Sequence, residues 1–166
     1  MKKLFVLGLI KTGTSSMVGL LNSHQNIFIM YEVNPRSTHI SKYGKQLLNV
    51  LPEARVEFNN YLNFEESYNG IFKAIKRSKF SDELKYFGDK LVLNEFLGFE
   101  KEFSDSNIIF MIRDIKTWLC KKQVIESYMT DIDIVSRSIN YLKFLINTFK
   151  FTNSIKIKME DFILNH

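Results

Sequence analysis

Gly8-Leu9-Ile10-Lys11-Thr12-Gly13-Thr14-Ser15-Ser16 stands between an apolar run, Leu4-Phe5-Val6-Leu7, and a segment in which Met17, Val18, Leu20 and Leu21 recur at helical spacing. The unbroken apolar run predicts a buried strand, and the recurrence predicts a helix. Strand, glycine loop and helix in that order form a cradle for an anion. The glycines admit close approach of backbone N–H groups, and the helix N-terminus adds partial positive charge. Gly8, Gly13 and Ser15 fit the frame G-x-x-x-x-G-K-[ST], which holds a nucleoside triphosphate with Mg²⁺. Thr14, however, occupies the lysine position, and Lys11 lies inside the loop instead. A lysine there can meet an oxygen that bridges two anionic groups, a different leaving-group arrangement from that of ATP.

Outward from this loop, Ile27 to Met30 reads as a second buried strand, joined to the first by the helix as a βαβ unit of a parallel sheet. Asn107 to Ile112 is the clearest strand; it ends at Arg113-Asp114, and a helix carrying Trp118 and Leu119 follows. Gly88 to Leu93 predicts a short strand with a charged entry, and Ile155 to Met159 alternates like a strand with one solvated face. Thr130 and Asp133 cap a helix reaching about Phe149, with Ile132, Val135, Ile139, Leu142, Leu145, Ile146 and Phe149 as its expected buried stripe. Tyr43 to Leu51 and Glu65 to Arg77 read as helices, part of a helical excursion at about 41–80 where an acceptor pocket is expected. The predicted class is α/β, a P-loop-like three-layer α/β/α fold with a mostly parallel central sheet, in one domain spanning residues 1–166.

Composition sets the bounds. The 166 residues are 45% hydrophobic and 25% charged, which excludes a disordered chain, and 15 Phe with 7 Tyr imply a core rich in large rings. The single cysteine, Cys120, rules out an internal disulfide framework and leads us to expect a reducing, cytoplasmic setting. Net charge is +5, with clusters at Lys73-Lys76-Arg77-Lys79 and Lys116-Lys121-Lys122. No nucleic-acid reader motif accompanies them, so no nucleic-acid partner is expected; a small, twice-phosphorylated anion accounts for local positive charge. Met1-Lys2-Lys3 before Leu4 to Ile10 has the flavour of a signal peptide. The apolar run is short and lacks an Ala-x-Ala-like cleavage site, so a first strand is the preferred reading. No segment approaches the roughly 20 apolar residues of a membrane span.

The loop at Gly8 to Ser16, followed by Leu20-Leu21-Asn22-Ser23-His24, resembles the 5′-phosphosulfate loop of bacterial-type sulfotransferases that use 3′-phosphoadenosine 5′-phosphosulfate (PAPS). Arg113 at the end of its strand resembles the family's second signature, Arg-Asp-Pro with a serine eight residues after the arginine, which holds the 3′-phosphate. Here Ile115 replaces the proline and Lys121 stands at the serine position. The resemblance implies a transferase that moves a sulfuryl group from PAPS to a hydroxyl or amine of a small-molecule or glycan acceptor, with no metal expected. It implies Lys11, Thr12, Gly13, Thr14, Ser15 and Ser16 at the 5′ end of the donor and Arg113 with Lys121 at the 3′-phosphate. Lys11 would be catalytic at the bridging oxygen. Glu32, just after the second strand, would be the general base, and His39 is its rival. Gly88-Asp89-Lys90 matches the start of a Gly-[Glu/Asp]-Lys-Thr-Pro segment, which leaves Lys90 either facing the reacting groups or on the surface. Glu160-Asp161-Phe162 resembles a Tyr-Glu-Asp-Leu segment whose acids are expected to be structural. The family's closing basic loop has no counterpart after it. Two alternatives stay open: a P-loop ATP-dependent kinase of nucleotides or small molecules, and a non-catalytic anion-binding relative. Oligomeric state is not legible.

Overall fold

Leu4, Phe5, Val6 and Leu7 are all buried, so both faces of the first strand, β1 (Lys2–Gly8), are covered. That is the environment in which a continuous apolar run forms a central parallel strand. The computed structural model describes residues 1–31, 73, 76–77, 82–92, 105–120 and 130–164. After β1 come α1 (Thr14–Leu21), β2 (Ile27–Tyr31), β3 (Tyr86–Val92), β4 (Asn107–Ile112), α2 (Ile115–Leu119), α3 (Asp131–Thr148), β5 (Ser154–Lys158) and α4 (Met159–Leu164). The strands form one sheet in the order β2-β3-β1-β4-β5. β2 runs parallel to β3, with Tyr31 opposite Lys90, and β4 runs parallel to β5, with Ile112 opposite Lys158. This is the expected P-loop-like α/β/α fold. Residues 1–166, expected as one domain, group into two compact units, Met1–Phe5 with Ser15–Leu91 and Val6–Thr14 with Val92–His166.

In the first unit, Met17 and Val18 bury the inner face of α1, but Leu20, expected on that face, is exposed. Phe28 stacks on Phe87 across the β2–β3 pair, with centroids 6.0 Å apart. Gly88 is required by close approach, because a Cβ there would overlap the Leu4 main chain. Asn22 follows α1 and uses its side-chain amide as a strand partner. Its Nδ2 donates to the Ile29 carbonyl at 2.9 Å, and its Oδ1 accepts from the Ile29 N–H at 2.7 Å.

The core of the second unit is aromatic, as the composition implies. Phe110 meets Phe144 and Phe151 edge-on at 6.1 and 5.3 Å, and Trp118 packs against Tyr141 at 4.9 Å. Thr130 caps α3 through the predicted capping box with Asp133. The predicted stripe on α3 is overturned. Ile132, Val135, Ile139, Leu142, Ile146 and Phe149 are exposed, from 46% at Ile139 to 78% at Ile132, and the helix buries Tyr141, Phe144 and Thr148 instead. The helix has two apolar faces, and the one carrying rings reaches the core. β5 also departs from its expected alternation. Ile155 is exposed, whereas Lys156 is half-buried, with its Nζ donating to Ser154 Oγ at 3.3 Å. The predicted helices at 43–51 and 65–77, and the excursion at about 41–80, lie outside the described residues apart from Lys73, Lys76 and Arg77.

Candidate functional site

The loop after β1 is held in a shape that its sequence explains residue by residue. Thr12 is fully buried and donates both its hydroxyl (2.8 Å) and its N–H (3.3 Å) to the Leu9 carbonyl, closing the first turn. Lys11 sits at φ 63, in the left-handed region, which costs a residue with a Cβ about 1 kcal/mol or more. Gly13 has φ 92, and a Cβ there would run into Met159 Sδ, the first residue of α4. At Gly8 a Cβ would meet the Thr12 hydroxyl, the Thr14 methyl and the Met111 carbonyl. Neither loop glycine leaves room for another residue.

Side chains following β4 grip the loop's outward carbonyls. Arg113 Nη1 donates to the Lys11 carbonyl at 3.1 Å, and the buried Trp118 donates its indole N–H to the Ile10 carbonyl at 2.7 Å. Satisfying these carbonyls from outside removes two acceptors that would otherwise repel an anion. Arg113 is itself fixed at its backbone, since the Tyr141 hydroxyl accepts from its N–H at 3.1 Å and donates to its carbonyl. Burial, with Glu160 and Asp114 nearby, raises the Tyr141 pKa above its ordinary value, so the hydroxyl stays protonated in that role.

Arg113 also has a counter-ion. Its Nε lies 3.5 Å from Glu160 Oε1; both atoms are buried and neither forms a hydrogen bond. Glu160 Oε2 meanwhile accepts from the Asp114 N–H at 3.2 Å. The guanidinium therefore reaches the loop with one edge on Lys11 and another facing a carboxylate. Next to it, Asp114 caps α2, accepting from the N–H groups of Lys116 and Thr117, each at 3.0 Å. Bonds from the Thr117 N–H and hydroxyl, foremost among its contacts, hold the Asp114 pKa below its ordinary value.

In the first unit, the start of α1 meets a lysine. Lys90, for which a surface position was one expectation, is only 6% exposed; its Nζ donates to Ser15 Oγ at 3.2 Å and lies 5.7 Å from the centroid of the Tyr31 ring. Its neighbour Asp89 is fully buried, with one carboxyl oxygen accepting from the Lys90 N–H at 2.8 Å. The first N–H groups of a helix have no partners within it, and α1 has no acidic residue in its first turn. A buried lysine inside a strand gave no signal in hydropathy, and neither did the pairing of Arg113 with Glu160.

Of the predicted site residues, Lys11, Thr12 and Gly13 lie in the loop with Arg113 beside it, and Thr14, Ser15 and Ser16 open α1. Glu32, His39 and Lys121 lie outside the described residues. Among the described residues no helix is long and apolar enough to cross a membrane.

No protein family of known sequence pattern matches this chain. No curated protein matches it either. Among solved structures it is similar to thymidylate kinase from Candida albicans, at 12% identity and a TM-score of 0.46, over 95% of this chain and 83% of that one. A likeness this distant bears on neither activity nor substrate.

Proposed function

We propose that the protein is a nucleotide-binding transferase that moves a sulfuryl group from PAPS to a hydroxyl or amine of a small-molecule or glycan acceptor. The observation that carries this reading is the Lys90 ammonium on Ser15 Oγ. In a G-x-x-x-x-G-K-[ST] loop that hydroxyl serves Mg²⁺. An ammonium in contact with it disfavours a divalent cation at the same place. Sulfuryl transfer suits such a site, since a sulfuryl group carries less negative charge than a phosphoryl group. Thr14 in the loop-lysine position and Lys11 inside the loop support the same choice.

In this mechanism the N–H groups at the start of α1, with the Thr14 and Ser15 hydroxyls, hold the 5′-phosphate. Lys11 neutralises charge growing on the bridging oxygen as its bond to sulfur breaks, while the acceptor oxygen forms the new bond. Glu32, or His39 in its place, takes the acceptor proton. Arg113, with Lys121, anchors the 3′-phosphate of the donor and orients it in line. The Gly8, Gly13 and Ser15 frame favours a second reading, an ATP-dependent kinase in which Lys90 serves the phosphates.

Calorimetry with adenosine 3′,5′-bisphosphate against ATP–Mg²⁺ separates the two. We expect the bisphosphate to bind, ATP–Mg²⁺ to bind far more weakly, and Lys11→Ala to abolish sulfate transfer with the fold intact. Tight ATP–Mg²⁺ binding with indifference to the bisphosphate would establish the kinase. Bisphosphate binding without PAPS turnover across a broad acceptor panel would leave a non-catalytic anion-binding domain.

A further inference from the structure

The apolar residues exposed on α3 are not scattered. Ile132, Val135, Ile139, Leu142, Ile146 and Phe149 follow one another at intervals of three and four, the a/d pattern of a helix-pairing seam. They run the whole length of α3, roughly 27 Å at 1.5 Å per residue. The opposite side of the helix is spent on the aromatic core through Tyr141 and Phe144, so the seam is a second, separate apolar face.

The seam is complementary to itself when reversed. Laid antiparallel on a second copy, Ile132 meets the partner subunit's Phe149, Val135 meets the partner subunit's Ile146, and Ile139 meets the partner subunit's Leu142, with all six positions used. Each β-branched residue then faces a different apolar partner, and the same register repeats on both sides of a two-fold axis, as an isologous dimer requires. Charge agrees. Asp131 flanks the amino end of the seam and Lys143 and Lys150 its carboxyl half, and Lys156 adds a cation 5.1 Å from the centroid of the Phe149 ring. The reversed register brings Asp131 level with the partner subunit's Lys150, and it sets the two helix dipoles antiparallel, each positive end beside the other's negative end. A parallel pairing would bring like ends together and stack Phe149 on itself.

We propose that α3 is the dimer interface of this protein, paired antiparallel with α3 of a second copy about an axis near Asn140 and Tyr141. The inference is independent of which donor the glycine loop takes.

Sedimentation velocity of the full chain over a range of concentrations tests it. A monomer–dimer equilibrium is expected. Ile139→Glu, an exposed position whose change should leave circular dichroism unaltered, should weaken association by about a hundredfold or more, since each copy loses the contact. Orientation is read by disulfide trapping in a Cys120→Ser background. Ile132→Cys and Phe149→Cys proteins, mixed, should cross-link to each other, and neither should cross-link to itself. A monomer at every concentration, a dimer indifferent to Ile139→Glu, or cross-links within either single variant would each overturn the proposal. The first of these is the result if other parts of the same chain cover the seam.

Discussion

Two strands of the sheet hand over to a helix through a tight turn, β1 into α1 and β4 into α2, and they treat the helix's unpaired N–H groups in opposite ways. After β4, Asp114 supplies a carboxylate that already accepts from Lys116 and Thr117. After β1 no acid stands in the first turn, and two glycines bring bare main chain to the same position. One junction is closed by its own carboxylate, and the other is left open, with no acid in its first turn. The comparison explains why Arg113, which begins the closed junction, is turned toward the loop of the open one at Lys11.

The strongest way to break this contrast is to put a side chain on the open junction. Gly13→Ala forces a Cβ into the left-handed region and onto Met159, and we expect a loss of about 2–3 kcal/mol in urea unfolding together with bisphosphate binding. Unchanged stability would mean that the loop is not held as described. The closed junction should respond less. Asp114→Ala removes the cap of α2 and should lower the urea midpoint by less than Gly13→Ala does, with anion binding to the β1 loop retained. Equal loss of binding in both variants would erase the distinction between the two.

The smallest effect sharpens the chemistry of caps. Asp114 and Asp133 both have pKa values held below the ordinary carboxylate value, Asp133 through the Thr130 hydroxyl first and then the Thr130 N–H. A carboxylate whose folded pKa is depressed stabilises the fold above the unfolded value and loses that contribution as pH falls through the folded one. Urea midpoints should therefore drop below about pH 4. Replacing both aspartates with asparagine should flatten that slope, and an unchanged slope would show that the two caps do not contribute.

How legible all this was depended on whether a signal was local. β4 begins and ends where its apolar run does, and the capping box at Thr130 and Asp133 fixed the start of α3. The buried face of α3 was misread because hydropathy weights aliphatic residues, while the core is organised by rings from distant strands. Lys90 was ambiguous for a related reason. A lysine in a strand is buried more readily when something far along the chain accepts a hydrogen bond from its ammonium, and Ser15 is 75 positions away. The loop motif gave no hint that Glu160 would stand across from Arg113, because that contact links the residue after β4 to the start of α4, and those two places are neighbours through the parallel pairing of β4 with β5.

Asn22 carries one more consequence. Among the described residues β2 is the last strand on its side of the sheet, and such borders invite further strands from other molecules. By occupying both main-chain groups of Ile29, the asparagine amide fills the middle rung of that border, and a strand arriving there finds that rung already taken. A polar side chain placed just after the first helix thus completes a border rung from within the chain.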